Sequence, residues 1–251
     1  MCRDIDQLLD RKDLDGFVVA VSIDNLYKIS KKLLENGFNV FIEKPVAENL
    51  DQVNELRYLA EKRGVVAVPG FVLRFDPLTK YFREMILGEN RKPFYVMIQR
   101  SGRRAPRYRR FSILLDLGIH DIDLIHYLFG EEVKLIDARI TRVLDDESYN
   151  IYLDYRDGVA HLVSDPIPLV KIRKIYMNFD DKILYEGDYV ASEVIAHGTG
   201  GERVISKIQR SIEPLALEIK AFVDKISGRE AETPTLRDAV NAHRIISVII
   251  K

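Results

Sequence analysis

The chain has 251 residues, 47% of them apolar, and carries 38 basic against 39 acidic side chains for a formal charge of -1. That length suits two domains around a sizeable core, and the balanced charge excludes an overall field steering the protein to DNA or an anionic membrane. The only cysteine, Cys2, excludes a disulfide framework and a cysteine-rich zinc site, the amino terminus MCRDIDQLLDRKD lacks a secretory apolar segment, and no apolar run approaches the roughly 18 residues of a membrane span, so a cytoplasmic location without membrane partners is expected.

From Gly16 short apolar runs alternate with amphipathic segments. GFVVAVS (16–22) reads as a buried strand, and NLYKISKKLLEN (25–36) sets Leu26, Ile29, Leu33 and Leu34 on one helical face, with Gly37 as a stop. FNVFI (38–42) is a second strand. Asn49 caps the next helix with Gln52 three residues on, Val53, Leu56 and Leu59 repeat at helical spacing up to Gly64, and VVAV (65–68) is a third strand. Tight strand–helix–strand connections of this kind force a parallel sheet. After about residue 92 the segments PFYVMIQR, KLIDARITRVL, YNIYLDYRDGVAHLVS and VKIRKIYMNFDDKILYEG are longer and alternating. Arg-Asp-Gly and Asp-Asp mark hairpin turns, which predicts an open, mostly antiparallel sheet. Two helices, at 213–227 and 235–250, close the chain.

Two segments carry candidate chemistry. Glu43-Lys44-Pro45 ends the second strand, and ligands of open parallel sheets sit beyond the carboxyl ends of the strands. Lys44 is either a ligand-facing ammonium there or a surface lysine paired with a carboxylate. LLDLGIHDIDLIHYLFG (114–130) carries Asp116, His120 and Asp123 at i, i+4 and i+7, one face of a helix. His120 suits a general base oriented by Asp116, while a capping and salt-bridge set would use the same residues structurally. A metal site that added His126 is disfavoured, because His126 lies about 80° around the helix from Asp116, and no metal is expected.

Together the two motifs resemble the glucose-fructose oxidoreductase and inositol dehydrogenase family (Gfo/Idh/MocA). The likeness extends over DLDGFVVAVSIDN, GFVLRFDP and PLALEIKAFVDKISG, from about Asp4 to the carboxyl end. The resemblance implies α/β plus α+β architecture. A truncated Rossmann-like parallel sheet occupies 1–75, and 76–251 form a substrate and oligomerisation domain with helices on one face of its sheet, the last helix packing back on the first domain. It implies an oxidoreductase that uses NAD or NADP on a hydroxyl or carbonyl of a sugar, cyclitol or similar compound, and a homo-oligomer. Lys44, Asp116 and His120 become the catalytic set, with either His120 or Lys44 as proton acceptor. Asp24, Asn25, Glu43, Lys44 and Pro45 become cofactor contacts, with a cis bond before Pro45, and Asp123, Arg74 and Arg104 become substrate contacts.

The family's Gly-x-Gly-x-x-Gly turn has no counterpart here; HGTGGE (197–202) ends its pattern on Arg203 and reads as an ordinary turn. Roughly 60 residues that would carry the pyrophosphate and ribose contacts are therefore missing from the family pattern, and either the chain is a shortened descendant or Met1 is an internal start of a longer protein. Strand 16–22 would then be a bare edge, covered by a partner subunit, a rearranged terminus or residues 1–15. RSGRRAPRYRR (100–110) clusters six arginines around Tyr108; it is either a solvated loop or a site for an anionic substrate or cofactor phosphate, and it is short of a nucleic-acid module. A dehydrogenase is the leading reading. The competing one is a non-catalytic binding or assembly protein of the same descent that lacks the cofactor half.

Overall fold

The computed structural model describes residues 5–11, 13–88, 93–130, 132–156, 158–166, 170–179 and 182–250, apart from the side chains at 202 and 204. Met1, Cys2 and the expected hairpin residues Asp157, Asp180 and Asp181 lie outside the described residues. In chain order the elements are α1 (Asp6–Leu9), β1 (Gly16–Val19), α2 (Ile23–Glu35), β2 (Asn39–Ile42), α3 (Leu50–Arg63), β3 (Ala67–Pro69) and α4 (Pro77–Gly88). There follow β4 (Tyr95–Ser101), a π-helical turn (Leu114–Gly118), α5 (Ile119–Phe129), β5 (Lys134–Val143), β6 (Asp146–Tyr155), β7 (Gly158–Asp165) and β8 (Ile172–Asn178). The chain ends with β9 (Leu184–Asp188), β10 (Glu193–Gly198), β11 (Gly201–Lys207), α6 (Pro214–Ile226) and α7 (Leu236–Ile249). It forms two compact units: residues 1–72 with 215–247, and residues 73–214 with 248–251.

In the first unit β1, β2 and β3 form a parallel sheet in that order, in register Gly16↔Asn39 and Val40↔Ala67. β1 ends at Val19 rather than running to Ser22, because Ser22 takes the extended N-cap conformation (φ -61°, ψ 149°) from which α2 starts. Ile23, Leu26, Leu33 and Leu34 are the buried face of α2, as the helical spacing predicts. The Asn49 side chain caps α3 by accepting from the Gln52 amide at 3.0 Å, and Gly64 ends the helix at φ 66°, where a side chain would strain the backbone. Asn39 joins the sheet to its loops: its side chain donates to the Asp15 carbonyl (2.8 Å) and accepts from the Val66 amide (2.9 Å). Phe222 of α6 packs with Phe41 and Val68 in the core.

β1 pairs with β2 alone among the described residues, and Val18 on it is 52% exposed. Of residues 1–15, one of the covers expected for this edge, Asp6–Leu9 form α1, and Asp6 pairs with Lys32 of α2.

In the second unit eight strands form one sheet, ordered β11-β10-β9-β8-β4-β7-β6-β5. Every neighbouring pair is antiparallel except β4 with β7. Along β6 the buried Tyr149, Ile151, Leu153 and Tyr155 alternate with exposed residues, as expected for a sheet covered on one face. α4 lies so close to β9 that a Cβ on Gly187 would come within 2.4 Å of Phe82 and 2.9 Å of Leu78. HGTGGE is the β10–β11 hairpin, turning at Thr199 and Gly200, as the reading of it as a turn predicts. No helix among the described residues is long and apolar enough to cross a membrane.

Candidate active site

Within the first unit, all three strands deliver their carboxyl ends to the same edge. Glu43 follows β2 there, its amide donating to the Val19 carbonyl at 3.0 Å, and Gly70 follows β3, its amide donating to the Ile42 carbonyl at 2.8 Å. A Cβ on Gly70 would lie 3.2 Å from the Glu43 carboxylate, so the glycine leaves room for that side chain. Glu43 is buried enough that desolvation raises its pKa, although the Lys44 amide donates to it at 3.2 Å. The Lys44–Pro45 peptide is cis, as expected from the motif. Beyond it the Ala47 carbonyl meets Nε2 of the buried His243 at 3.0 Å, while Nδ1 of that ring lies 2.9 Å from the Ala239 carbonyl; the motif is thereby tied to α7. Asp24 and Asn25 open α2, with the Asn25 side chain donating to Ser22 Oγ at 3.0 Å.

In the second unit the expected single helix over 114–130 begins as a π turn, with Asp116 and Gly118 inside it and His120 in the first turn of α5. The change of pitch alters the angle between Asp116 and the later residues, and such bulges recur at functional sites. Asp116 is buried and His120 partly exposed. Asp123 and Arg74, both predicted as substrate contacts, bind each other through two hydrogen bonds of 2.5 and 2.9 Å, with the Arg74 guanidinium 4.9 Å from the Tyr127 ring centre. Arg104 is 5% exposed and bonds to Asp146 (2.7 Å) and to the Phe111 carbonyl (3.0 Å), which fastens its segment to the β5–β6 turn at the start of β6. Arg103 and Arg109 pair with Asp145 on the same turn.

Sequence reasoning passed over the network beneath α5. The fully buried Asp121 accepts from Tyr149 Oη at 2.5 Å and pairs with Arg100 of β4. Burial opposes the Arg100 charge, but Asp121 and Tyr149 outweigh it and raise its pKa. Arg173, on the neighbouring strand β8, has its pKa lowered by burial and then by repulsion from Arg100, with Asp121 and Asp116 acting the other way. Asp116 thus acts electrostatically on Arg173 and is not a lone carboxylate on a helix. Among the described residues no cluster of three or more His, Cys, Asp or Glu is arranged to hold a metal.

Residues 1–71 match the model of the GFO_IDH_MocA oxidoreductase family with an NAD-binding Rossmann fold, and residues 87–164 match the GFO/IDH/MocA C-terminal domain. The chain belongs to the Gfo/Idh/MocA family of oxidoreductases. It is 26% identical to the scyllo-inositol 2-dehydrogenase (NAD(+)) of Bacillus subtilis over 63% of this chain and 48% of that enzyme, so the match spans about half the relative's length. It is 26% identical to the myo-inositol 2-dehydrogenase of Thermotoga maritima over 91% of this chain and 74% of the enzyme. The solved structure of the UDP-N-acetylglucosamine 3-dehydrogenase of Acidithiobacillus ferrooxidans superposes with a TM-score of 0.81 at 20% identity, over 99% of this chain and 80% of the other, and so shares the fold.

Proposed function

We propose that the protein is an NAD- or NADP-dependent dehydrogenase acting on a hydroxyl or carbonyl of a sugar, cyclitol or related small molecule. The reading is carried by Glu43-Lys44-Pro45 at the exit of a parallel strand, in a chain whose second unit sets Asp116 and His120 across a π-to-α junction. Glu43, Lys44, Pro45, Asp24 and Asn25, at the carboxyl edge of the parallel sheet, are the residues that would hold the nicotinamide end of the cofactor; Gly70 leaves that edge open beside Glu43. When bound, the nicotinamide exchanges a hydride with the substrate carbon. Lys44, Asp116 and His120 are the catalytic set. The Lys44 ammonium opposes the charge developing on the substrate oxygen, and the hydroxyl proton passes to His120 or Lys44, Asp116 orienting the acceptor. Asp123 and Arg74 hold the helix side of the substrate site through their mutual ion pair, and Arg104 holds the adjoining segment.

Lys44→Ala is expected to lower kcat by a factor of about 100 or more, the size typical of losing a charge-stabilising donor, with an unchanged melting temperature. Titration with NAD(H) and NADP(H), followed by nicotinamide fluorescence or by thermal shift, tests the cofactor half directly. No saturable binding of either cofactor would sink the dehydrogenase reading for this chain.

A further inference from the structure

The second unit contains a cavity of about 320 Å³, within the size range of small-molecule sites. Arg100, Lys171, Arg173, Lys174 and Arg210 line it, and Asp76 is the one carboxylate among the lining residues. Three of these cations are neutralised. Arg100 pairs with Asp121, Lys174 lies 2.5 Å from Glu186 and 3.5 Å from Asp188, and Arg210 lies 2.8 Å from Asp76. The other two differ. Arg173 donates from Nη1 to the carbonyls of Ser101 (2.9 Å) and Ile172 (2.7 Å), which orient the guanidinium without cancelling its charge. Lys171 is exposed at the cavity wall. The buried Arg210 Nε has no acceptor among the described residues and is one more donor on a lining side chain. Leu73, Ile98 and Leu124 supply apolar wall, and Leu124 lies one turn beyond His120 on α5.

We propose that this cavity receives the phosphate monoester of a phosphorylated sugar or cyclitol, with Arg173 and Lys171 as its charge partners and Arg210 as a supporting donor. Two cations outside any ion pair among the described residues match a group carrying about -1.5 to -2 charges at neutral pH, whereas a single carboxylate would leave one of them unanswered. The sugar or cyclitol part rests on the dehydrogenase reading; the anion site does not.

The test is calorimetric titration of the full chain with inorganic phosphate, at a pH where the dianion predominates and at low salt. Saturable binding is expected, weakened about tenfold or more by Arg173→Gln, as for loss of a charge-assisted contact, and to a smaller extent by Lys171→Gln. Arg139→Gln, an exposed change on β5, should leave it intact. Circular dichroism checks that each variant is folded, and the exposed Lys171 keeps the test decisive should Arg173→Gln unfold. Equal phosphate binding by Arg173→Gln and Lys171→Gln, no saturable binding by the native chain, or displacement of phosphate by an equal concentration of acetate would each overturn the assignment. Nicotinamide titrations of the same samples separate the two readings. Phosphate failure with cofactor binding retained removes only the anion site, and cofactor failure with Arg173-dependent phosphate binding removes only the redox chemistry.

Discussion

Asp121 has no distinguishing spacing in the sequence, yet it is fully buried and holds both Arg100 and Tyr149. Removing its charge strands the Arg100 guanidinium in a site away from water, and breaking a buried pair from one side typically costs about 3–5 kcal/mol. Asp121→Asn should therefore lower the unfolding free energy by an amount of that order in urea titrations, and a change under 1 kcal/mol (about the value of an exposed pair) would show that the network is not what holds α5 to the sheet. His243 gives a second residue-scale prediction. Burial lowers its pKa below the ordinary 6.5, and the carbonyls of Ala239 and Ala47 oppose that shift only in part. The native imidazole then stays neutral at a pH where the unfolded one takes up a proton. This makes the unfolded state the better proton binder, so stability falls as pH drops through 6.5, by up to about 1.4 kcal/mol per pH unit. The slope of melting temperature between neutral and mildly acidic pH should be steeper for the native chain than for His243→Phe; identical slopes would count against a neutral buried ring.

Among the elements, α4 and β9 meet at Gly187, where a methyl group would come within 2.4 Å of Phe82 and 2.9 Å of Ile175. Gly187→Ala should destabilise by about 1–3 kcal/mol through overpacking, read as a shift in the urea midpoint at constant m. The boundaries of most elements follow from local chemistry that a sequence displays: the Asn49 cap and Gly64 stop of α3, the apolar stripe of α2, the alternation of β6. The π turn at Leu114–Gly118 does not, because Asp-x-Gly-x-His reads as one continuous helix by periodicity alone. Nor do the ion pairs that join Arg103, Arg104 and Arg109 of the arginine segment to Asp145 and Asp146.

For the molecule as a whole, the edge at β1 is the feature with the most consequence. A parallel strand whose outer side is unpaired among the described residues and which exposes Val18 is a template for another strand. Val18→Lys, which places a charge on that edge, should reduce concentration-dependent light scattering while leaving the melting temperature within about a degree, as expected of an exposed position. The strands and helices from β1 to β3, the alternating strands from β4 to β9, the two closing helices and the residues of the motifs could be read before any coordinates, since each depends on neighbours within a few positions; α4, the β10–β11 hairpin strands and the parallel β4–β7 pairing could not. Tertiary structure alone decided which charges are spent on one another. Arg104 and Asp146 are 42 residues apart, Arg74 and Asp123 are 49 apart, and neither pairing has a local signature. Ion pairs over such separations are set by where the backbone brings the strands and helices together, and only after they are subtracted do Lys171 and Arg173 stand out as cavity cations outside any ion pair among the described residues.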